Sequence, residues 1–291
     1  MHTEDELLKI AMGLLDTNKY KKSIEFFTQA IEKNPLNAMF YGNRAIAWFK
    51  ILDIESALGD VQKAIELDSQ YHEAWFMKGE ILRQRKEFRE AEDCYKHADK
   101  LYPDSLYYLT GLMQTASSQK KYGDTIAYCN RILEESPADD LALYYRGLAF
   151  SSMKNYPAAI KDYLKLLEIG KRTSGIYNNL GFWYSKIGDL KKAGNNLNIA
   201  LQINPTHPYA LDNLGHVQYL KGEFKKGLEL INQSLGVDPS NSYGYKNRAL
   251  IYLKTGEREQ AMEDLKKARM LGYTEDYDKE VDDLLKSEFN I

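Results

Sequence analysis

Side chains able to do chemistry are few in this sequence and widely separated. His2, His72, His97, His207 and His216 include no i, i+4 pair, the spacing that sets two imidazoles on one helix face to share a metal. Cys94 and Cys129 are the only cysteines. They form no C-x-x-C motif and no disulfide framework, so they read as small apolar fillers between helices, a redox pair being conditional on their Cβ atoms coming close. The sequence has no G-x-x-x-x-G-K-[ST] or G-x-G-x-x-G phosphate loop and no H-E-x-x-H zinc motif. Asn232-Gln233-Ser234 fits a glycosylation acceptor but falls inside a helical segment and is set aside. What remains is a set of carboxamides in phase: Asn179, Asn213 and Asn247 stand 34 residues apart, with Asn43 in the same frame. A carboxamide both donates and accepts, so such a column could pair with the backbone of an extended peptide. That is recognition rather than bond-making, and no enzyme activity, cofactor or metal is expected.

The elements that position those groups follow from the same period. Pro35, Pro103, Pro137, Pro205 and Pro239 share one frame, in which Ser69, Lys171 and Tyr273 fill the gaps. Eight units follow without insertion: 4–37, 38–71, 72–105, 106–139, 140–173, 174–207, 208–241 and 242–275. Small residues dominate three further columns. One runs Ala11, Ala45, Gly79, Met113, Gly147, Gly181, Gly215, Ala249; the second Ser23, Ala57, Ala91, Thr125, Ala159, Ala193, Gly227, Ala261; the third Ala30, Ala64, Ala98, Ile132, Leu166, Ala200, Ser234, Ala268. Small side chains let antiparallel helices approach closely, while larger ones such as Phe27, Tyr95 and Tyr163 fill the space between successive pairs. Pro157 and Pro208 fall where new helices begin, a place where a missing N–H costs little.

This pattern resembles the tetratricopeptide repeat family. The sixth unit carries it through Tyr177, Leu180, Gly181, Tyr184, Ala193, Leu197, Ala200 and Pro205, and the third through Trp75, Gly79, Leu82, Ala91, Tyr95, Ala98 and Pro103. The resemblance implies an all-α fold: a single right-handed α-α superhelix over 1–291, built of eight helical hairpins. Tyr277, Val281, Leu284, Leu285 and Phe289 then recur at helical spacing among acidic residues, predicting a capping helix over 276–291.

In that family the first helix of each unit lines a concave groove that holds a peptide or a partner helix. Carried over to this chain, the groove column is Asn43, Asn179, Asn213 and Asn247, interleaved with Phe49, Phe76, Tyr107, Tyr144, Tyr145, Phe182, Tyr209, Tyr219 and Tyr243. His216 joins them, and Lys186, Lys246 and Lys254, opposed by Asp212, make the C-terminal end mildly basic and suited to an acidic or phosphorylated segment. About half the aromatics are expected to stay accessible as anchors. Co-chaperones of this fold clamp the C-terminal carboxylate of heat-shock chaperones with lysines, asparagines and an arginine. Tyr41-Gly42-Asn43-Arg44-Ala45 looks like the middle of that clamp, but Leu8, Met12, Glu73 and Met77 stand where cations are needed, so this partner is not expected.

Bulk properties set the remaining bounds. With 44% hydrophobic and 28% charged residues the chain is neither disordered nor membrane-like. A net charge of -3 without a basic run gives nucleic acid little to bind. No stretch is long and apolar enough for a membrane span, and the charged segment from Met1 to Lys9 does not resemble a secretory leader, so a cytoplasmic location is expected. The function expected is a non-catalytic protein-interaction module or scaffold. The alternative is a dedicated neutralising or chaperone partner of one protein, of the toxin-immunity or secretion-chaperone kind, and self-association stays open.

Overall fold

The 34-residue period becomes, in the computed structural model, a series of antiparallel helix pairs. Residues 2–273 and 279–291 are described, and among them are seventeen α-helices and no strand. The first helices are α1 (Glu4–Asp16), α3 (Ala38–Lys50), α5 (His72–Gln84), α7 (Leu106–Ser118), α9 (Asp140–Ser152), α11 (Ser174–Lys186), α13 (Pro208–Leu220) and α15 (Ser242–Thr255). The second are α2 (Tyr20–Lys33), α4 (Ile54–Leu67), α6 (Phe88–Leu101), α8 (Tyr122–Glu135), α10 (Tyr156–Glu168), α12 (Leu190–Ile203), α14 (Phe224–Val237) and α16 (Arg258–Met270), followed by α17 (Glu280–Phe289). Residue 276, where the cap was expected to begin, and Tyr277 lie outside the described residues.

Packing groups these helices into two compact units, Met1–Ala149 and Phe150–Ile291, divided inside α9. In the first, α1/α2, α3/α4, α5/α6 and α7/α8 are hairpins, with α2, α4 and α6 also packing on the next first helix. In the second, α10 packs on α11, hairpins α11/α12, α13/α14 and α15/α16 follow, and α17 packs on α16.

The small-residue columns mark where helices touch. Ala11, Ala45, Ala249, Ala57, Ala91, Ala193, Ala261, Ala64, Ala200 and Ala268 are all fully buried. The closest approach of an added Cβ to backbone is in the α13/α14 hairpin. A Cβ added at Gly215 would stand 2.6 Å from Ile231 Cγ1 and 2.9 Å from the Gly227 carbonyl oxygen; one added at Gly227 would stand 2.9 Å from the Gly215 oxygen. Backbone cannot rotate away as a side chain can, so Gly215→Leu is expected to cost about 3 kcal/mol, the upper end for overpacking. A denaturation midpoint unchanged within error would contradict this packing.

Each hairpin turn has one residue in the left-handed region. Asn18, Leu52, Lys86, Lys120, Lys154, Gly188, Gly222 and Gly256 have φ between 59° and 96° and recur in phase. The following amide closes a six-residue loop onto the first helix, as in Asp53 N–H to Trp48 O (3.0 Å), Glu87 to Leu82 (2.9 Å) and Glu223 to Gln218 (2.9 Å). This is the helix-ending arrangement in which a left-handed residue lets free carbonyls find donors. Only three of the eight positions hold glycine, so the column is largely hidden in the sequence.

Candidate binding surface

In the first unit α1, α3, α5 and α7 lie side by side, as do α11, α13 and α15 in the second. The residues expected to line these faces divide into accessible and structural groups. Tyr107, Tyr144 and Tyr209 are exposed, Tyr107 at 75%. Phe49, Phe76, Tyr145, Phe182, Tyr219 and Tyr243 are half-buried. Phe49 packs on the core cluster that includes Ala45 and Met77, Tyr145 on the one that includes Leu109, Leu112 and Ala142, and Tyr219 on the one formed by Ile231, Leu235 and Ile251. Lys186 and Lys254 are exposed.

The asparagine column departs from the expectation of a free ladder. Asn43 is buried and its Nδ2 donates to Met39 O in its own helix (2.9 Å). Asn213 Nδ2 donates to Asn178 Oδ1 (2.9 Å), Asn178 Nδ2 to Asn179 Oδ1 (3.3 Å) and Asn179 Nδ2 to the Tyr163 hydroxyl (3.3 Å). That chain ties α13 to α11 and α10. Asn247 is fully buried and donates to both oxygens of Asp212 (3.0 and 3.1 Å). The amide donors of Asn179, Asn213 and Asn247 join neighbouring repeats and that of Asn43 stays within its helix, because a buried carboxamide must find a partner inside the protein.

Lys246 is the second correction. It is 1% exposed rather than part of an open basic surface. Its Nζ pairs with Glu280 Oε2 of α17 (3.2 Å) and stands over the Tyr243 and Tyr273 rings at 4.5 and 5.8 Å. Tyr273 is buried and its hydroxyl donates to the same Glu280 oxygen (3.2 Å). The cap helix thus supplies a counter-charge as well as Val281 and Leu285 for the core. The role of Tyr273 and Glu280 escaped the sequence reading because it depends on α17 folding back.

Around this pair the second unit holds a compact set of side chains. Phe182 and Tyr243 meet edge to face at 6.2 Å, and Lys186 Nζ stands 5.2 Å over Phe182. His216 stacks on Tyr219, and its buried Nδ1 has no hydrogen-bond partner. Burial, reinforced by the positive charges of Lys246 and Lys186, holds its pKa down to about 3, so the ring is neutral near pH 7. Burial pushes the Asp212 carboxyl up to about 6, against the lowering effect of the Asn247 hydrogen bond and the Lys246 charge. Asn247 Oδ1 and Gln218 Oε1 are also buried without a partner.

The first unit has a different character. Phe76 on α5 lies 5.2 Å from the Tyr108 ring, 5.9 Å from Tyr95 and 6.4 Å from Tyr107. His72 stacks on Tyr102 at 5.0 Å, and its Nδ1 is 2.6 Å from the Tyr108 hydroxyl. Glu73 is 3.1 Å from His72 Nδ1 and raises the phenols of Tyr71 and Tyr108, each pushed up to about 12 mainly by burial. Tyr102 and Tyr108 were not singled out from the sequence; the adjacent Tyr107-Tyr108 pair opening α7 was the available signal. Cys94 and Cys129 are buried in the core beside these rings. Among the described residues no group of three or more His, Cys, Asp or Glu is placed to hold a metal, and no helix is long and apolar enough to cross a membrane.

Paired helices stacked through small-residue contacts, with first helices left side by side on one face, define an α-helical repeat scaffold. Tetratricopeptide repeat profiles match residues 8–70, 72–105, 174–207 and 244–268, and the chain belongs to the tetratricopeptide repeat family. It is 29% identical over 185 residues to human serine/threonine-protein phosphatase 5, covering 62% of this chain and 34% of the phosphatase. It is 28% identical over 109 residues to Hsp70-Hsp90 organizing protein 3 of Arabidopsis thaliana, covering 38% and 20%. The chain therefore spans about a third or less of the length of these relatives. A tetratricopeptide repeat protein from Parabacteroides merdae shares the fold with a TM-score of 0.67 at 20% identity, covering 86% of this chain and 97% of that one.

Proposed function

We propose that the chain is a non-catalytic protein-interaction scaffold whose first-helix faces hold an extended segment of a partner protein. The observation carrying this reading is the exposure of Tyr107, Tyr144 and Tyr209, large aromatic side chains on first helices. Such rings bury a large area at modest entropic cost and serve as anchors in protein interfaces. Likeness to a protein called an Hsp70-Hsp90 organizing protein supports a protein as the ligand. A carboxylate clamp in the first unit is not part of the proposal. Leu8, Met12 and Met77 offer no charge, and the exposed Glu73 repels an anion. The asparagines of the second unit contribute by fixing the spacing of the helices, with Asn179 and Asn213 the members of the column that remain half-exposed there.

Affinity capture from the native host with the full chain, compared with the double variant Tyr144→Ala, Tyr209→Ala, tests the reading. Both side chains are exposed, so the variant is expected to melt like the parent while losing its captured proteins by about tenfold, as for two anchors of about 0.7 kcal/mol or more each. Undiminished capture of every protein by the variant would overturn the proposal.

A further inference from the structure

Lysines and arginines stand over aromatic rings at several places in both units. Lys186 stands over Phe182 and Lys246 over Tyr243; in the first unit Arg44 stands 5.7 Å over Tyr41, and Lys78 5.7 Å over Trp75. One aromatic cluster combines exposed rings, no such cation and a carboxylate. Among the described residues, no lysine or arginine lies over Phe76, Tyr102, Tyr107 or Tyr108, although Tyr102 is 56% and Tyr107 75% exposed. Glu73 adds a half-exposed carboxylate to the same group, one residue from His72 and close enough to bias the Tyr71 and Tyr108 phenols. The faces of aromatic rings are negative, and a carboxylate beside them adds full charge.

From this we infer that the first unit carries a cation-accepting site: the exposed Tyr102 and Tyr107 rings, backed by the half-buried Phe76 and the buried Tyr108, receive with Glu73 an arginine side chain of the bound segment. The inference rests on the scaffold reading and adds the chemistry of the residue recognised. A planar guanidinium fits this group better than a compact ammonium, since it stacks on a ring while its edge pairs with a carboxylate. The site is opposite in sign to the heat-shock clamp: Glu73 stands where that clamp needs a cation. In the second unit Lys186 and Lys246 already stand over Phe182 and Tyr243.

The test uses the full chain and a fluorescein-labelled five-residue peptide of alternating glycine and arginine, with citrulline replacing arginine in the control. Citrulline keeps the shape and loses the charge. Fluorescence polarisation is expected to show the arginine peptide binding about fivefold or more tightly than the control, the range for exposed cation–π contacts with one added ion pair. Tyr102→Leu and Tyr107→Leu should each weaken the arginine peptide about threefold with unchanged melting, Tyr107→Phe should retain binding, and Glu73→Gln should weaken the arginine peptide without affecting the control. Equal binding of the two peptides overturns the assignment. So does arginine binding insensitive to both leucine variants, which marks unspecific attraction to Glu73, or a concentration-dependent dimer lost on Tyr107→Leu, which gives these rings to a second copy of the chain. Because the capture experiment changes Tyr144 and Tyr209 only, loss of arginine selectivity with retained capture effects removes this site and leaves the scaffold reading standing.

Discussion

Arg44→Ala is expected to destabilise the chain by about 3–5 kcal/mol, the cost of leaving a buried carboxylate without its partner. Arg44 donates from Nε and Nη2 to the two oxygens of Asp60, both at 2.7 Å, and from Nη1 to Thr28 Oγ1 at 2.9 Å. Its side chain and that of Asp60 are 16% and 10% exposed. One guanidinium on α3 therefore joins α2 and α4, the second helices of successive hairpins. The motif returns at the same repeat position in the second unit, where Arg248 reaches both oxygens of Asp264 (2.7 and 2.8 Å) and Asn232 Oδ1 (2.7 Å). Denaturant unfolding measures the effect. The double change Arg44→Met, Asp60→Leu should recover most of the loss, because a well-packed apolar pair does not strand a charge. A loss below about 1 kcal/mol for Arg44→Ala would place this pair with ordinary surface ion pairs and contradict the geometry.

Asp212→Asn should act in the opposite direction, raising stability by about 3 kcal/mol at pH 7. The folded-state pKa of Asp212 is raised to about 6 from 3.8, so the folded chain holds the carboxyl proton more tightly than the unfolded chain does. The contribution of Asp212 is therefore most favourable below pH 3.8 and is lost as pH rises through 6, where the folded protein carries a charge in a site that resists it. Asparagine removes that cost and offers a donor to Asn247 Oδ1, which otherwise has none. The difference in unfolding free energy between variant and parent should grow from pH 4 to pH 7. A constant difference across that range would show that Asp212 titrates normally.

The architecture was legible in the sequence because it is written eight times. A helix pair closes only if small residues stand where its backbones cross, and Ala45, Gly181, Gly215 and Ala249 repeat that requirement often enough to outweigh departures such as Met113 and Leu166, both fully buried in the same columns. The left-handed turn position was far less visible. Leu52, Lys86, Lys120 and Lys154 occupy it without glycine, since a rigid hairpin can hold one residue in an unfavourable conformation.

The sequence by itself determined the helices, their pairing, and which first-helix residues could face a partner, all of them consequences of period and residue size. Only the tertiary structure decided which of those residues are free to meet one. Asn247 and Lys246 have the composition of a binding face, yet Asp212 on α13 and Glu280 on α17 claim them, and they lie at 0% and 1% exposure. Tyr107 has no such claimant and stays open. A polar group leaves water only where another polar group is waiting for it, and which helix brings that second group is settled by how the chain folds back on itself.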